Sequence, residues 1–410
     1  MFDSTSIYLT IASIAIVVLL PLCSAYFRKI RKAKPFTGPD GIKLPAVSVI
    51  VSAFDDPDLA LLKIASILNQ EYEGDFEVIF IVDNEKVKED AFKYQIENLP
   101  NRHRLKVTFV PDSSHYMGKQ KLAVTLGVKA ASFEWIMLTD GHTEPMSRYW
   151  LATMARNCYG KDIVMGYTTI AKEKFTVGSE ESPVTTFRKP IMDKKEQRLD
   201  DFQRFERHLW QLYNMYQAES GIAYSTAGGN IMFRKSMFMK NKGYSGNLKY
   251  TFGEYEFLIN TFADKDNVAV ETHTDSWCAR DKYSAHEFDL YHRCFQETRK
   301  HLLRKWQHRM IVALDQAVLH LSFLIVITMF VYSICTSHWI AAGITLVCLP
   351  IGLFIREFLA KKSLKRFRVD LKTKLVTPME LYLLWLHIIY MIKYMKADKT
   401  EFISHKFTYK

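Results

Sequence analysis

The sequence predicts an α/β chain in which a mostly parallel, doubly wound sheet is carried between membrane-spanning helices. Three observations predict it. Short Val- and Ile-rich runs alternate with helical patterns between Pro45 and Ile170, one long uncharged run lies near the amino terminus, and a second lies beyond residue 315. With 410 residues the chain can bury a full core and still carry further modules.

The run from Ile7 to Phe27 holds no charged residue, and as a helix it spans about 31 Å, the thickness of a hydrocarbon core. Arg28, Lys29, Arg31, Lys32 and Lys34 follow it. A cleaved leader carries its positive charge before the apolar run, so 1–34 is read as a retained anchor and basic flank whose carboxyl side is cytoplasmic.

AVSVIVSA (46–53), FEVIFIV (76–82), LKVTFV (105–110) and EWIMLT (134–139) are the expected strands. Between the first two, Leu61, Ile64, Ala65 and Leu68 form an i, i+3, i+4, i+7 stripe, with Asp56 as N-cap and Pro57 in the first turn. A weaker helical pattern covers 85–97 and a clear one 119–131. A sheet built this way binds ligands at the carboxyl ends of its strands, where Asp55, Asp83 and Asp140 stand. The polar stretch from Lys172 to about Asp200 is expected to be disordered or a surface excursion, with a lid as the alternative.

The second uncharged region, Gln316 to Ile355, is long enough for two spans broken near Thr336-Ser337-His338. It ends at Arg356, Lys361, Lys362, Lys365, Arg366 and Arg368. Both basic clusters then face the same side, which gives an outside amino terminus, an inside segment from Arg28 to about His308, a helical hairpin, and a basic tail over 356–410. Within the tail, Leu381 to Ile392 is short for a span and is expected at the interface. Lys and Arg number 55 against 44 Asp and Glu, and much of the excess flanks apolar segments, which favours a membrane surface over nucleic acid. About three spans with no acidic residue inside them argue against a transporter. Cysteines 23, 158, 278, 294, 335 and 348 show no paired ligand spacing, as suits a reducing compartment without zinc or disulfides.

VSVIVSAFDDP, FEVIFIVDNEK, MGKQKLAVTLGVKAASFEWIMLTDGHTEP, TAGGNIMFRKSMF and FGEYEFLIN follow in the order and spacing of the membrane-anchored family 2 glycosyltransferases, which the chain resembles over roughly 45–309. The resemblance implies a Rossmann-like GT-A domain that binds a nucleotide sugar, uridine-linked first, and transfers the sugar with inversion. Its acceptor would be lipid-linked or a glycan, and its place a bacterial-type inner membrane with the catalytic domain cytoplasmic. Asp55 and Asp83, otherwise ordinary turn residues, would contact base and ribose. Lys119 or Lys121, near the start of a helix, would reach diphosphate or else be solvated.

Three positions depart from the family pattern. Its Asp-x-Asp, which holds Mn²⁺ or Mg²⁺ against the diphosphate, is Asp140-Gly141-His142 here. Imidazole suits Mn²⁺ better than Mg²⁺, so Mn²⁺ is the expected ion. Its acidic cluster after glycine becomes Gly253-Glu254-Tyr255-Glu256, with tyrosine at the base position. Glu254, directly after the glycine, is then the first candidate base and Glu256 the second, with only one expected to face the cleft. Its Gln-x-x-Arg-Trp becomes Gln296-Glu297-Thr298-Arg299-Lys300, within an amphipathic stretch over 291–309 suited to an interface. These departures keep a second hypothesis open, a non-catalytic relative that acts as a membrane scaffold or nucleotide-sugar-binding partner.

Overall fold

The computed structural model describes residues 4–27, 43–54, 57–83, 87, 89–110, 118–171, 194–226 and 228–402. Asp55, Asp56, the basic cluster at 28–34 and the polar stretch 172–193 lie outside them.

The first apolar helix is α1 (Ser4–Leu22). Then follow β1 (Val47–Ala53), α2 (Pro57–Leu68), β2 (Phe76–Asp83), α3 (Glu89–Glu97), β3 (Leu105–Val110), α4 (Lys119–Ala130) and β4 (Trp135–Asp140). The next elements are β5 (Thr143–Pro145), α5 (Trp150–Ala155), β6 (Ile163–Met165), β7 (Thr168–Ile170) and α6 (Lys194–Glu219). After them come β8 (Ile231–Arg234), α7 (Lys235–Lys240), α8 (Glu254–Phe262), β9 (Val268–Val270), β10 (Cys278–Arg280) and α9 (Ala285–His301). The chain closes with α10 (Lys305–Cys335), α11 (Trp339–Arg366) and α12 (Val376–Lys396).

The main sheet runs β3-β2-β1-β4-β8-β6-β9. β1 is parallel to β2 and β4, and β2 to β3, as the alternation predicts. β8 enters antiparallel between β4 and β6, a placement no local pattern announces. β1 and β2 are buried along their whole length because helices cover both faces, α4 and α8 on one side, α2 and α5 on the other. The register aligns Ser52 with Asp140, so the strand ends finish level and deliver Asp140 beside β1. A second, three-stranded sheet, β5-β10-β7, stands next to that edge.

The polar stretch expected to reach about residue 200 gives way to helix at Lys194. Charged first turns hide the amphipathic character of α6, but Phe202, Phe205, Leu209 and Leu212 are buried at helical spacing. They share one core with Phe288 of α9, Ala360 and Leu364 of α11, and Leu383 and Leu386 of α12.

Four helices among the described residues, α1, α10, α11 and the stretch Thr373–Lys396 that contains α12, are long and apolar enough to cross a membrane. The turn between α10 and α11 falls at Thr336–His338, as expected. α12 exceeds the short run 381–392 because Val376, Thr377 and the buried Glu380 extend it.

Glu380 also corrects the view that the apolar helices carry no acid. Arg356, counted from sequence in an exposed basic cluster, is fully buried. Its Nη2 lies 2.6 Å from Asp315 Oδ1 of α10 and 3.0 Å from Glu380 Oε1, its Nε 2.9 Å from Glu380 Oε2, and its Nη1 2.9 Å from the Leu20 carbonyl of α1. The hydroxyl of Tyr213, on α6, donates to Asp315. One guanidinium thus joins all four apolar helices, and Tyr213 ties them to α6. The fork geometry of arginine makes such a multivalent node feasible where lysine would not.

Candidate active site

A cleft of about 290 Å³ opens at the carboxyl ends of β1 and β4. Ser52, Asp140, His142, the segment 252–256, Arg280 and Tyr291 are among the residues that line it. Asp140 is buried at its base. Its Oδ1 accepts from the His142 amide at 3.0 Å and from the Thr143 hydroxyl at 2.8 Å. Its Oδ2 accepts from Arg280 Nη1 at 2.7 Å and the Tyr255 hydroxyl at 3.1 Å. Burial pushes this carboxyl up, but Arg280, His142 and the Thr143 and Tyr255 hydrogen bonds outweigh it and hold the group at about 2.

Arg280 arrives there by strand register. β10 pairs antiparallel with β5, placing Arg280 opposite Thr143, and the Asp281 amide donates to the His142 carbonyl at 2.9 Å. The guanidinium lies 4.8 Å from the centroid of the Tyr283 ring. Next to it Asp281 accepts from Lys63 of α2, and its Oδ2 is 3.7 Å from His142 Nδ1.

Glu254, Tyr255 and Glu256 all line the cleft, which corrects the expectation that only one carboxylate would face it. Gly253 starts α8 with φ +97°, a left-handed turn that tips the first helical turn toward the cleft. Tyr255, between the two acids, reaches Asp140. Gly229 of the TAGGN segment leaves room for this, since a Cβ there would sit 2.9 Å from the Tyr255 hydroxyl. Burial pushes both glutamates up, Glu256 to about 7 with added repulsion from Glu254. The charges that act on them differ. Glu254 feels Lys121, Asp140 and Arg280, on the sheet side, whereas Glu256 feels Glu254, Lys121 and then Arg207 of α6.

Lys121 is fully buried and donates to the carbonyls of Asn247, Tyr250 and Phe252 at 3.1, 2.6 and 2.8 Å. It therefore pins the loop before Gly253 and does not extend toward a diphosphate. Lys121→Met is expected to strand these carbonyls and lower stability by about 1–3 kcal/mol, measured as a fall in Tm.

Asp83 and Lys119, expected separately at a nucleotide, form an ion pair at 2.5 Å next to the cleft and not among its lining residues. Gln296 and Arg299 also lie off the cleft, whose α9 lining includes Leu290, Tyr291, Cys294, Phe295 and Thr298. Gln296 is buried with its Nε2 unpartnered. Burial and the nearby Arg309 lower the affinity of Arg299 for its proton.

The Asp140 and His142 pair does not fit a divalent ion in this arrangement. Each Asp140 oxygen already accepts two hydrogen bonds, which fills its lone pairs. No group of three His, Cys, Asp or Glu side chains is gathered to hold a metal among the described residues.

Residues 48–242 match the model of the family described as glycosyl transferase family 2. Over that segment the chain is similar to family 2 glycosyltransferases. Among solved structures it is similar to the mannosyltransferase PcManGT from Pyrobaculum calidifontis in complex with GDP-Man and Mn²⁺, at 14% identity over 95% of this chain and 97% of that one, with a TM-score of 0.47. It is also similar to S. aureus TarS 1–349 in complex with UDP-GlcNAc, at 13% identity over 87% and 91%, with a TM-score of 0.38. No curated protein matches the chain.

The family match ends before the acidic cluster at 254–256 and before Arg280. Arg280, Lys63 and Asp281 were not legible as site residues. The only local signal of Arg280 and Asp281 is the charged pair that closes the short run SWCARD, Lys63 is one lysine on α2, and Arg280 lies 140 residues along the chain from its carboxylate.

Proposed function

We propose that this chain transfers a sugar from a nucleotide sugar, a uridine one first, to a lipid-linked or glycan acceptor at a membrane surface, with inversion. The observation that carries the reading is the pair of carboxylates, half-buried Glu254 and buried Glu256, in one cleft with the strand-end Asp140. The acceptor hydroxyl attacks the anomeric carbon as the bond to the diphosphate oxygen breaks. The proton passes to a glutamate and the electron pair leaves with the diphosphate. Direct displacement inverts the centre. Glu256 is assigned as the base ahead of Glu254, because burial and repulsion from Glu254 hold its carboxyl up to about 7, where a base ionises at working pH.

Asp83 is proposed to contact the nucleoside, with Lys119 beside it; Asp55, two residues after β1 in the sequence, shares that assignment. Gln296 and Arg299 would anchor the interfacial face of α9. His142 would favour Mn²⁺ over Mg²⁺ as an ion, but the saturated Asp140 leaves no carboxylate to hold either. The proposed organisation is an anchor at 1–34, a catalytic domain at 45–309, two spans within 316–355 and a basic tail at 356–410. The proposed setting is a bacterial-type inner membrane with the catalytic side cytoplasmic.

Tyr255 at the base position, held by Asp140, favours a second reading, a scaffold without turnover. A thermal-shift series of the detergent-solubilised chain against nucleotide sugars separates the two. A ligand at one hundred times its Kd stabilises by about 2.7 kcal/mol, and Asp83→Ala should shrink the shift. No rise in Tm with any nucleotide sugar would leave the scaffold.

The glutamate also sets a pH dependence. The folded chain holds the Glu256 proton up to about pH 7, while the unfolded chain releases it near its ordinary value of about 4.3. Between these values the folded state binds more protons, so this group's contribution to stability falls as pH rises through the window. Turnover should move the opposite way, rising through about pH 7 as the base ionises, and a rate profile flat from pH 6 to 8 would exclude Glu256.

A further inference from the structure

We infer that Arg280 supplies, as a fixed part of the protein, the positive charge that a divalent ion would bring to the diphosphate. The inference rests on the nucleotide-sugar reading above. At a metal-bearing strand end the carboxylate's task is to hold a mobile dication. Here the carboxylate of Asp140 holds a guanidinium, at 2.7 Å, in the same cleft.

Three features make this a built arrangement. The backbone on both sides of Arg280 is tied down: its carbonyl accepts from the Ala171 amide at 2.8 Å, and the next amide donates to His142. The guanidinium packs over the Tyr283 ring, which holds its plane. Its Nε is buried and has no hydrogen-bond partner among the described residues. An arginine bears five N–H donors in a rigid fork matched to carboxylate and phosphate oxygens. A guanidinium with a donor still unspent beside a nucleotide cleft is therefore suited to a phosphate oxygen as the second acceptor.

Tyr255 belongs to the same device. A second aspartate at this position would crowd negative charge against Asp140 and call for a dication. A tyrosine hydroxyl instead donates to Asp140 at 3.1 Å, so the carboxylate is satisfied by one cation and neutral donors. Likewise Lys63 satisfies Asp281, the other carboxylate near His142. The departures at 142 and 255 thus have one shared explanation, which is that the cation is covalently part of the chain.

The charge balance differs from that of a metal site. A carboxylate with a dication leaves one positive charge facing the diphosphate, whereas a carboxylate with a guanidinium leaves none and relies on directed N–H groups. Binding should then depend on geometry more than on net charge.

The test is calorimetric titration of UDP into the purified full chain in detergent, in EDTA and then with Mn²⁺ or Mg²⁺ added. The expected result is an affinity that EDTA changes by less than about twofold. Arg280→Ala should weaken UDP in EDTA by roughly tenfold or more, and Arg280→Lys should recover only part of the loss, since it keeps the charge without the fork. Abolition of UDP binding by EDTA with recovery in Mn²⁺ would overturn the inference, and this comparison uses the unaltered protein, so it stands even if Arg280→Ala does not fold. Equal affinity for Arg280→Ala and the parent would also overturn it. If UDP and the other nucleoside diphosphates fail to bind under every condition, the nucleotide-sugar reading fails first and takes this inference with it. Metal-dependent binding would leave that reading intact and remove only the role of Arg280.

Discussion

Arg356→Ala should cost about 3–5 kcal/mol, enough to consume much of the stability of an ordinary domain. Removing the guanidinium leaves Asp315 and Glu380 buried together without a cation, and also frees the Leu20 carbonyl. The cost comes chiefly from the uncompensated carboxylates, not from lost attraction. The triple change Arg356→Met, Asp315→Asn, Glu380→Gln should therefore recover most of the loss. A fall in Tm for the single variant with recovery in the triple one is the measurement. Equal instability in both would mean that shape, and not charge, dominates the node. Arg356→Lys should also be destabilising, because an ammonium cannot engage Glu380 through two nitrogens and still reach Asp315 and Leu20.

Glu256→Gln should lower kcat by about 10²- to 10⁴-fold while leaving donor affinity near that of the parent, since a general base acts on the acceptor proton in the transition state. The glutamine keeps shape and removes the charge. Glu254→Gln should have a smaller effect on kcat, as that carboxylate sits toward Lys121, Asp140 and Arg280. The reverse order would reassign the base to Glu254. Tyr255→Asp makes a sharper separation: it deletes the donor to Asp140 and adds a carboxylate beside it. If activity appears only in that variant, the parent is not a catalyst.

Much of the sheet was legible because it is made of local signals. β1 to β4 and the helices between them follow hydrophobic runs and stripes that each segment carries in itself. The long apolar helices were legible for the same reason, including the turn at 336–338. What escaped were features made by distant pairing. β8 inserts antiparallel through the register of Met232 with both Met137 and Val164. α6 begins with Lys194-Lys195-Glu196-Gln197-Arg198, which looks like solvent-facing chain until its partner helices are in place. At the site, Asp140 was singled out by its strand end and Glu254 and Glu256 by the family resemblance, and all three line the cleft. Lys121 was misassigned because nothing local distinguishes a lysine that caps carbonyls inside the protein from one that reaches for an anion. Arg356 was misassigned for a related reason: at the end of an apolar run and ahead of four lysines and arginines, it has the composition of a surface residue.

The core that α6 shares with α9, α11 and α12 has a consequence for how the protein can be handled and how it can diverge. Phe202, Phe205 and Leu209 would lose the α11 and α12 side of their core if the chain were cut after residue 309, so a proteolytic fragment bearing the sheet should precipitate or bind detergent instead of dissolving. The same seam limits exchange by recombination. A foreign set of apolar helices could be spliced onto the sheet only if it brought side chains to fill the spaces now occupied by Ala360, Leu364, Leu383 and Leu386, so the sheet-bearing part and the apolar helices must change together.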